Sequence, residues 1–556
     1  MTALRVEGRP DSPPDIRHVL AWRELGPGLA EAAARDVPIV CLAEPAWSNG
    51  AQRLALVLSQ EDETRGLVED GFVPINIDPE ARPDLAARLR WAAVVLTGTI
   101  GPPLLLLLTP GGEPFLAYCS LYPEGRDPYP SLGSLLRSVS QLRGHLRSDL
   151  DAEARTLQAR AAYDARGGAP PAPVWQSLQG AVDERFGGLC TLPKHPHAAL
   201  LWRLLDDAAN PPVREHLVRT LEHMQRGGIL DQLGGSFHRC ARDERWIVPH
   251  FEKLVPHNAA LAAVYARAGT EFGRRDFGET AAGAAAFAAA ALDAGVMAVA
   301  SDTGYYTWTP QAFQQALDPA HVQALGLHFN ITRDDSAHVL FRALDPDAMG
   351  AYADESADVL RERVRHGKDL LRSVRTQRPP PAWQRIDAPA WHAETLRWLF
   401  AAGRYQVGID EHSLERHLTT LLGRPYEAGL GYARGAEHWL QDQAAIAAAC
   451  LAAEPTIREA RASAERLAEL ILAAYWHPES GVLVDTARGE ATPTASQDVV
   501  DHAVRAAVPG LIDTLRALAA APARGRRRTA TARFGDAAQR IERAHRNAIL
   551  AAASGG

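Results

Sequence analysis

Residues 227–258 read GGILDQLGGSFHRCARDERWIVPHFEKLVPHN, and they stand apart from the sequence on either side. Upstream, Val213, Leu217, Leu221 and Met224 recur at three- and four-residue spacing, entered at Asn210-Pro211-Pro212 and stopped at Gly227-Gly228, which predicts a helix. A second helix is predicted from Asn258 to Ala268. Between them lie about thirty residues with four glycines and dense polar and aromatic content; a connection that long is functional or disordered, and its aromatics argue against disorder. Among 59 basic residues only Lys194, Lys253 and Lys368 are lysines. Lys253 falls inside the segment and Lys194 just before it, in Leu192-Pro193-Lys194-His195-Pro196-His197. Retaining lysine where arginine is the habit points to a compact ammonium that must fit a buried place. His238, Arg239, Asp243, Glu244, His250, Glu252 and Lys253 supply proton donors and acceptors near neutrality, an anion clamp and a carboxylate partner, enough for general acid–base chemistry. The same inventory would also build a buried ion-pair network pinning a long loop, with Trp246 and Phe251 as core anchors. Composition does not separate these two readings. His195-Pro196-His197 has no third ligand at helical spacing and no HExxH is present, so no metal and no other cofactor is expected.

Outward from this segment, Trp175 to about Ala520 carries helical periodicity and little strand signal, room for roughly twelve helices. A closed ring of helical hairpins has that size, as does an open solenoid; the lack of a fixed-period repeat tilts against the solenoid. Ala281 to Ala300 is the most apolar long window, but alanine contributes little to membrane insertion and Asp293 opposes it, so a buried helix is expected. From Gly28 to Ser148 the pattern changes to strand Val37–Ala43, helix Ala51–Asp70, strand Phe72–Ile77, helix Pro83–Ala93, strands Leu104–Thr109 and Phe115–Ser120 around Pro110-Gly111-Gly112, and a closing helix bearing Leu132, Leu135, Leu136, Val139, Leu142 and Leu146. That β-α-β-α-β-β-α order is thioredoxin-like. Gly167 to Pro173 reads as a linker.

A chain of 556 residues exceeds a single core, and 46% apolar with 23% charged residues at a mean hydropathy of −0.18 describes a folded globular protein. The net charge of −8 offers no field for nucleic acid. The dense basic run Arg524 to Arg528 is read as a solvated tail, so neither nucleic acid nor membrane is expected as a partner. Five scattered cysteines without a CxxC suit a reducing cytoplasm, and Met1 to Asp15 lacks the apolar run of a signal peptide.

Gly227 to Tyr265 closely resembles the signature of the thioredoxin-domain family that includes YyaL-like bacterial proteins and spermatogenesis-associated protein 20. The shared residues are Gly227, Gly228, Asp231, Gly234, Gly235, Phe237, His238, Arg239, Asp243, Trp246, Pro249, His250, Phe251, Glu252 and Lys253. Phe186-Gly187-Gly188, Pro193-Lys194, Tyr305-Tyr306-Thr307-Trp308-Thr309, Tyr475-Trp476-His477-Pro478 with Gly481, and Asp78, Glu80, Arg82, Pro83 and Asp84 extend the likeness to about Ala520. The resemblance implies a multidomain α/β plus all-α chain: a thioredoxin-like domain over residues 15–148 and an (α/α)6 barrel similar to N-acylglucosamine 2-epimerases over 175–520, with a helical and Pro/Gly linker over 149–174 between them and an Arg/Ala-rich tail over 521–556 read from composition. It further implies a carbohydrate-like small-molecule ligand and, for an enzyme, proton transfer of the epimerase kind. His238, His250 and Glu252 are then the acid–base candidates, Lys194, Asp231, Arg239 and Lys253 binding residues, and Trp246 and Trp308 stacking walls.

Departures qualify that inheritance. The family's CHWC falls on Ser48-Asn49-Gly50-Ala51, so Ser48 and Ala51 mark a degenerate redox site that cannot form a mixed disulfide. The alternative function is a scaffold holding a protein partner in the thioredoxin-like groove beside Pro103, the cis-proline candidate. The barrel signature is also altered at Leu254-Val255-Pro256-His257, at Ile386-Asp387 with Trp391-His392, and at Leu440-Gln441-Asp442-Gln443-Ala444. If His238, His250, Glu252 and Lys194 line an open cleft with Trp308, the ligand reading gains; if they are sealed and paired, the structural reading does.

Overall fold

The computed structural model describes residues 15–97, 104–118, 125, 130–142, 174–331, 336–352, 355–434, 437–486, 506–520 and 532–545. Pro103, the linker Gly167–Pro173 and the run Arg524 to Arg528 lie outside them. Two compact units are present. One comprises Gln179–Arg385 with Ala401–Asp410; the other comprises Pro13–Leu178, Ile386–Phe400 and Glu411–Gly556. The span read as a single helical domain is therefore shared between the two.

The thioredoxin-like order is present, except that the stretch read as one helix, Ala51–Asp70, is two helices that meet at Glu61, and two further helices precede the first strand. Its elements are α1 (Ile16–Val19), α2 (Leu25–Arg35), β1 (Ile39–Leu42), α3 (Asn49–Gln60), α4 (Asp62–Gly71), β2 (Val73–Asn76), α5 (Pro83–Thr97), β3 (Leu105–Leu108), β4 (Pro114–Tyr118) and α6 (residues 132–142). The sheet order is β2-β1-β3-β4, with β1 parallel to β2 and antiparallel to β3. Period-two alternation explains the unbroken apolar runs, since both faces of the sheet are covered. Val40, Leu42, Leu105 and Leu107 face a core closed by Leu54 and Leu58 of α3, Val68 of α4 and Leu132, Leu136 and Val139 of α6. Ile39, Cys41, Leu106 and Leu108 face the opposite core, with Ala32 of α2 and Ala92 and Ala93 of α5.

The other unit is helical, built on Ala198–Leu205, Pro211–Arg226, Val255–Phe272, Arg275–Asp293, Pro319–Phe329 and Ala357–Thr376. The alanine-rich window forms a helix that buries Ala281, Ala284, Ala285, Ala288 and Ala291, and it packs against Val255–Phe272, whose Ala259, Ala260, Ala262 and Ala263 are also buried. Small side chains thus line both partners. No described helix is long and apolar enough to cross a membrane.

The residues read as an Arg/Ala-rich tail need a correction. Residues 532–545 form a helix that buries Phe534, Ala537, Ala538, Ile541, Ala544 and His545. His545 Nε2 accepts the Leu483 amide at 3.2 Å, and Arg540 lies 5.4 Å from the centre of the Trp476 ring. The three- and four-residue spacing of an amphipathic stripe is there. It is diluted by alanine and arginine, which give the span a polar average.

Candidate functional site

The signature segment is a chain of short antiparallel crossings and not an open loop. Leu230 bridges Phe237, and Ala241 bridges both Lys194 and Pro249. The amides of Ile229, His238, Arg239 and His250 donate to the carbonyls of Trp246, Ile229, Glu252 and Cys240. Asp243 turns the far end, its Oδ1 accepting from the Arg245 and Ile247 amides and its Oδ2 from Val248. Gly227 and Gly228 are required for contact, since a Cβ there would come within 2.3 Å of the Trp246 oxygen and 2.1 Å of the Ile247 oxygen. Gly227 caps the preceding helix in extended conformation (φ −70°), so it is a packing glycine and not a left-handed stop. Gly188 combines φ +70° with a Cβ position 2.6 Å from the Trp246 ring.

Most predicted site residues prove to be buried and paired. Lys194 is 1% exposed; its Nζ is bonded to Asp183, donates to the Glu244 carbonyl at 2.9 Å and lies 5.0 Å from the Trp246 ring centre. Although burial opposes ionisation, that ammonium holds Asp183 below the usual carboxylate range. Arg239 and Glu252, 3% and 0% exposed, are paired at 2.9 Å. Trp246 is fully buried and donates Nε1 to the Phe186 carbonyl at 3.0 Å. Trp308 is fully buried in a core with Phe313, Phe329 and Leu371, under the Arg378 guanidinium at 3.9 Å. Neither tryptophan is a stacking wall: both rings are spent on the interior. His250 is likewise buried. Of the two outcomes set out from the sequence, the sealed and paired one describes Lys194, Arg239, Glu252, Trp246 and Trp308.

A second group has a different character. Asp231 accepts Lys253 Nζ at 2.7 Å and Arg375 Nη1 at 2.6 Å, while its Oδ1 also receives the Leu233 and Gly234 amides. Burial would raise the Asp231 pKa, but the two cations hold it well below its usual value. Lys253 also donates to Ser236 Oγ at 2.9 Å and sits 4.6 Å from the Tyr306 ring centre; desolvation lowers its pKa against the pull of Asp231. His238 stands edge-on to Tyr306 at 4.7 Å and to Phe251 at 5.5 Å. Desolvation, with Lys253 beside it, keeps its imidazole neutral far below the usual histidine range. Its Nδ1 is buried and has no hydrogen-bond partner among the described residues. Asp183, Arg375 and Tyr306 had not been singled out as site residues. Tyr306 could have been, from its place in the Tyr305–Thr309 motif; Asp183 and Arg375 carry no local signal. No group of three potential ligands among the described residues could hold a metal ion.

At the degenerate redox site, Ser48 is the N-cap of α3, its Oγ accepting the Ala51 amide at 3.1 Å, and both residues are fully buried. Burial pushes the Cys41 thiol of β1 up to about 12. Trp47 donates Nε1 to Glu80 at 2.9 Å, and burial together with Asp78 raises that carboxyl to about 7. Arg434 donates to the Glu80 carbonyl at 2.7 Å and is paired with buried Asp442. Asp442 also accepts the Ala390 amide at 2.9 Å, and Gln443 brackets Tyr432 through both its amide atoms. The altered Leu440–Ala444 stretch is therefore structurally engaged.

The first domain matches a known family, and part of the chain is similar to curated proteins. Residues 16–161 match the family model Thioredox_DsbH, described as a protein of unknown function, DUF255. The chain is 28% identical over 295 residues to human spermatogenesis-associated protein 20, covering 46% of this chain and 37% of that protein, and the mouse protein matches equally. An uncharacterized protein of Caenorhabditis elegans is 29% identical over 219 residues, 37% of this chain and 30% of its own. The matches thus span well under half the length of these relatives.

Proposed function

We propose, for a chain whose residues 16–161 belong to the thioredoxin-like family DUF255 and which is a relative of spermatogenesis-associated protein 20, that its helical part binds a neutral, carbohydrate-like small molecule beside Asp231, His238 and Tyr306. The observation that carries this is His238: a buried ring nitrogen without a partner, between two aromatic rings and next to a doubly paired carboxylate. Leaving such a nitrogen unsatisfied costs about 1–3 kcal/mol, and a ligand hydroxyl would satisfy it while sugar C–H faces lie on the rings. A neutral imidazole whose pKa is far below 7 is a weak base, so binding is favoured over isomerisation. Entry would be beside Thr303–Tyr306, where Gly304 is exposed and Tyr305 half-buried. In this reading the helical hairpins complete an (α/α)6 barrel.

A thermal-shift panel of hexoses and N-acylated hexosamines on the full chain tests it. At least one should raise Tm in a concentration-dependent way, and His238→Ala and Tyr306→Ala should remove the shift. No shift with any sugar at tens of millimolar, in a protein whose variants still fold, would overturn it.

The first domain, in the same proposal, is a redox-inactive scaffold. Ser48 spends its side chain capping α3 where a nucleophile would stand. Catalysed insulin reduction lost in Ser48→Ala would refute this; a protein partner in the groove would instead be captured equally by parent and variant.

A further inference from the structure

The run Arg361 to Lys368 has the polar composition of a solvent-facing stretch, and Lys368 ends it. It is instead half-buried, its Nζ 5.4 Å from the centre of the Phe329 ring, and among the described residues it meets no carboxylate or carbonyl at bonding distance. Desolvation, reinforced by Arg342 and Arg372, lowers its pKa to about 8. The acid acting on it is Asp345, which is already paired with Arg226 at 2.8 Å. Arg372 is similarly occupied by Asp369 and the Leu233 carbonyl.

Two further polar atoms nearby are unspent. His328, 2% exposed and ring-packed on Phe329 at 4.7 Å, engages the Leu344 carbonyl through Nδ1, which leaves Nε2 buried and unpartnered. Arg342 gives Nη2 to the Gln225 carbonyl at 3.0 Å, while its Nε is buried without an acceptor. Lys368 and Arg342 both act electrostatically on His328. A partly desolvated cation under the influence of other cations is unfavourable until an anion joins it. The neutral His328 with its proton on Nδ1 offers Nε2 as an acceptor, so the group presents two cationic donors and one lone pair. That set is complementary to an oxyanion that also carries a hydroxyl.

We infer that Lys368, Arg342 and His328 form a binding site for a hydrogenphosphate-type oxyanion, free or as the phosphoryl end of a small molecule. The site is separate from Asp231 and His238 and does not depend on the sugar reading. Having three lysines, the full chain labelled with 13Cε-lysine should show three resolvable signals, Lys368 being identified by its absence in Lys368→Met. Inorganic phosphate at constant ionic strength should shift the Lys368 signal saturably, leave Lys194 and Lys253 unmoved, and bind at least tenfold more weakly to Arg342→Met. Glycerol phosphate in a parallel titration distinguishes the sources: tighter binding of the ester assigns a phosphorylated small molecule, tighter binding of phosphate the free ion. A Lys368 signal unmoved by either compound, or moved equally by chloride, overturns the site. So does an unchanged affinity in folded Arg342→Met.

Discussion

At the scale of single residues, the three lysines follow the logic of confinement. Gly188 leaves room for the Lys194 stem, a Cβ there falling 3.2 Å from Lys194 Cε, and the ammonium is bonded to Asp183 and the Glu244 carbonyl. A guanidinium is larger and has a fixed fork of donors that this arrangement does not match. Lys194→Arg and Lys253→Arg are each expected to lower stability by about 1–3 kcal/mol in urea denaturation. Losses under about 0.5 kcal/mol in both would mean that the ammonium is not required. Asp231→Asn is a harsher change, leaving Lys253 and Arg375 buried without a counter-charge, and should destabilise by about 3–5 kcal/mol.

Two elements carry predictions of their own. Helix α3 begins at the residue that replaces a redox cysteine, and its first turn is held by the Ser48 hydroxyl. Ser48→Ala should cost about 1 kcal/mol, the usual contribution of an N-cap, with thiol chemistry unchanged. The helix over residues 532–545 inserts Phe534, 2% exposed, into the unit it belongs to. Phe534→Ala should cost about 3–5 kcal/mol; a denaturation midpoint equal to the parent's would return these residues to the status of a tail.

Across the whole molecule, buried and half-buried histidines govern the response to acid. Burial depresses the pKa of His195, His197, His216, His238, His328, His392 and His545, to about 4 for His197, His216 and His545 and about 3 for His328. Each is neutral when folded and takes up a proton near pH 6.5 when unfolded, so its contribution is complete above that pH. It is lost as pH falls from about 6.5 toward the folded value, at about 1.4 kcal/mol per pH unit for each group. The depressed carboxylates Asp183 and Asp231 add their loss only below about pH 4. The urea midpoint should therefore be flat from pH 8 to 7 and fall steeply between 6.5 and 5. A midpoint unchanged at pH 5 would show that these histidines are hydrated.

What the sequence determined by itself is what depends on neighbours along the chain. Short apolar runs bounded by turn residues set β1 and β3, and three- and four-residue spacing set Pro211–Arg226. Each follows from local steric and hydrogen-bonding rules. The density of charge and aromatics in residues 227–258 likewise marked the segment that holds the buried charges of Asp231, Arg239, Glu252 and Lys253. Only the tertiary structure decided which charges are spent and which remain. Lys194 meets Asp183 across 11 residues, Arg239 meets Glu252 across 13, and Asp231 meets Arg375 across 144. Electrostatic pairing depends on distance in space, and only the folded chain sets that distance. The same holds for burial. Trp308 has the composition of a binding wall and the position of a core residue, while Lys368 has the sequence context of a surface and the surroundings of a site.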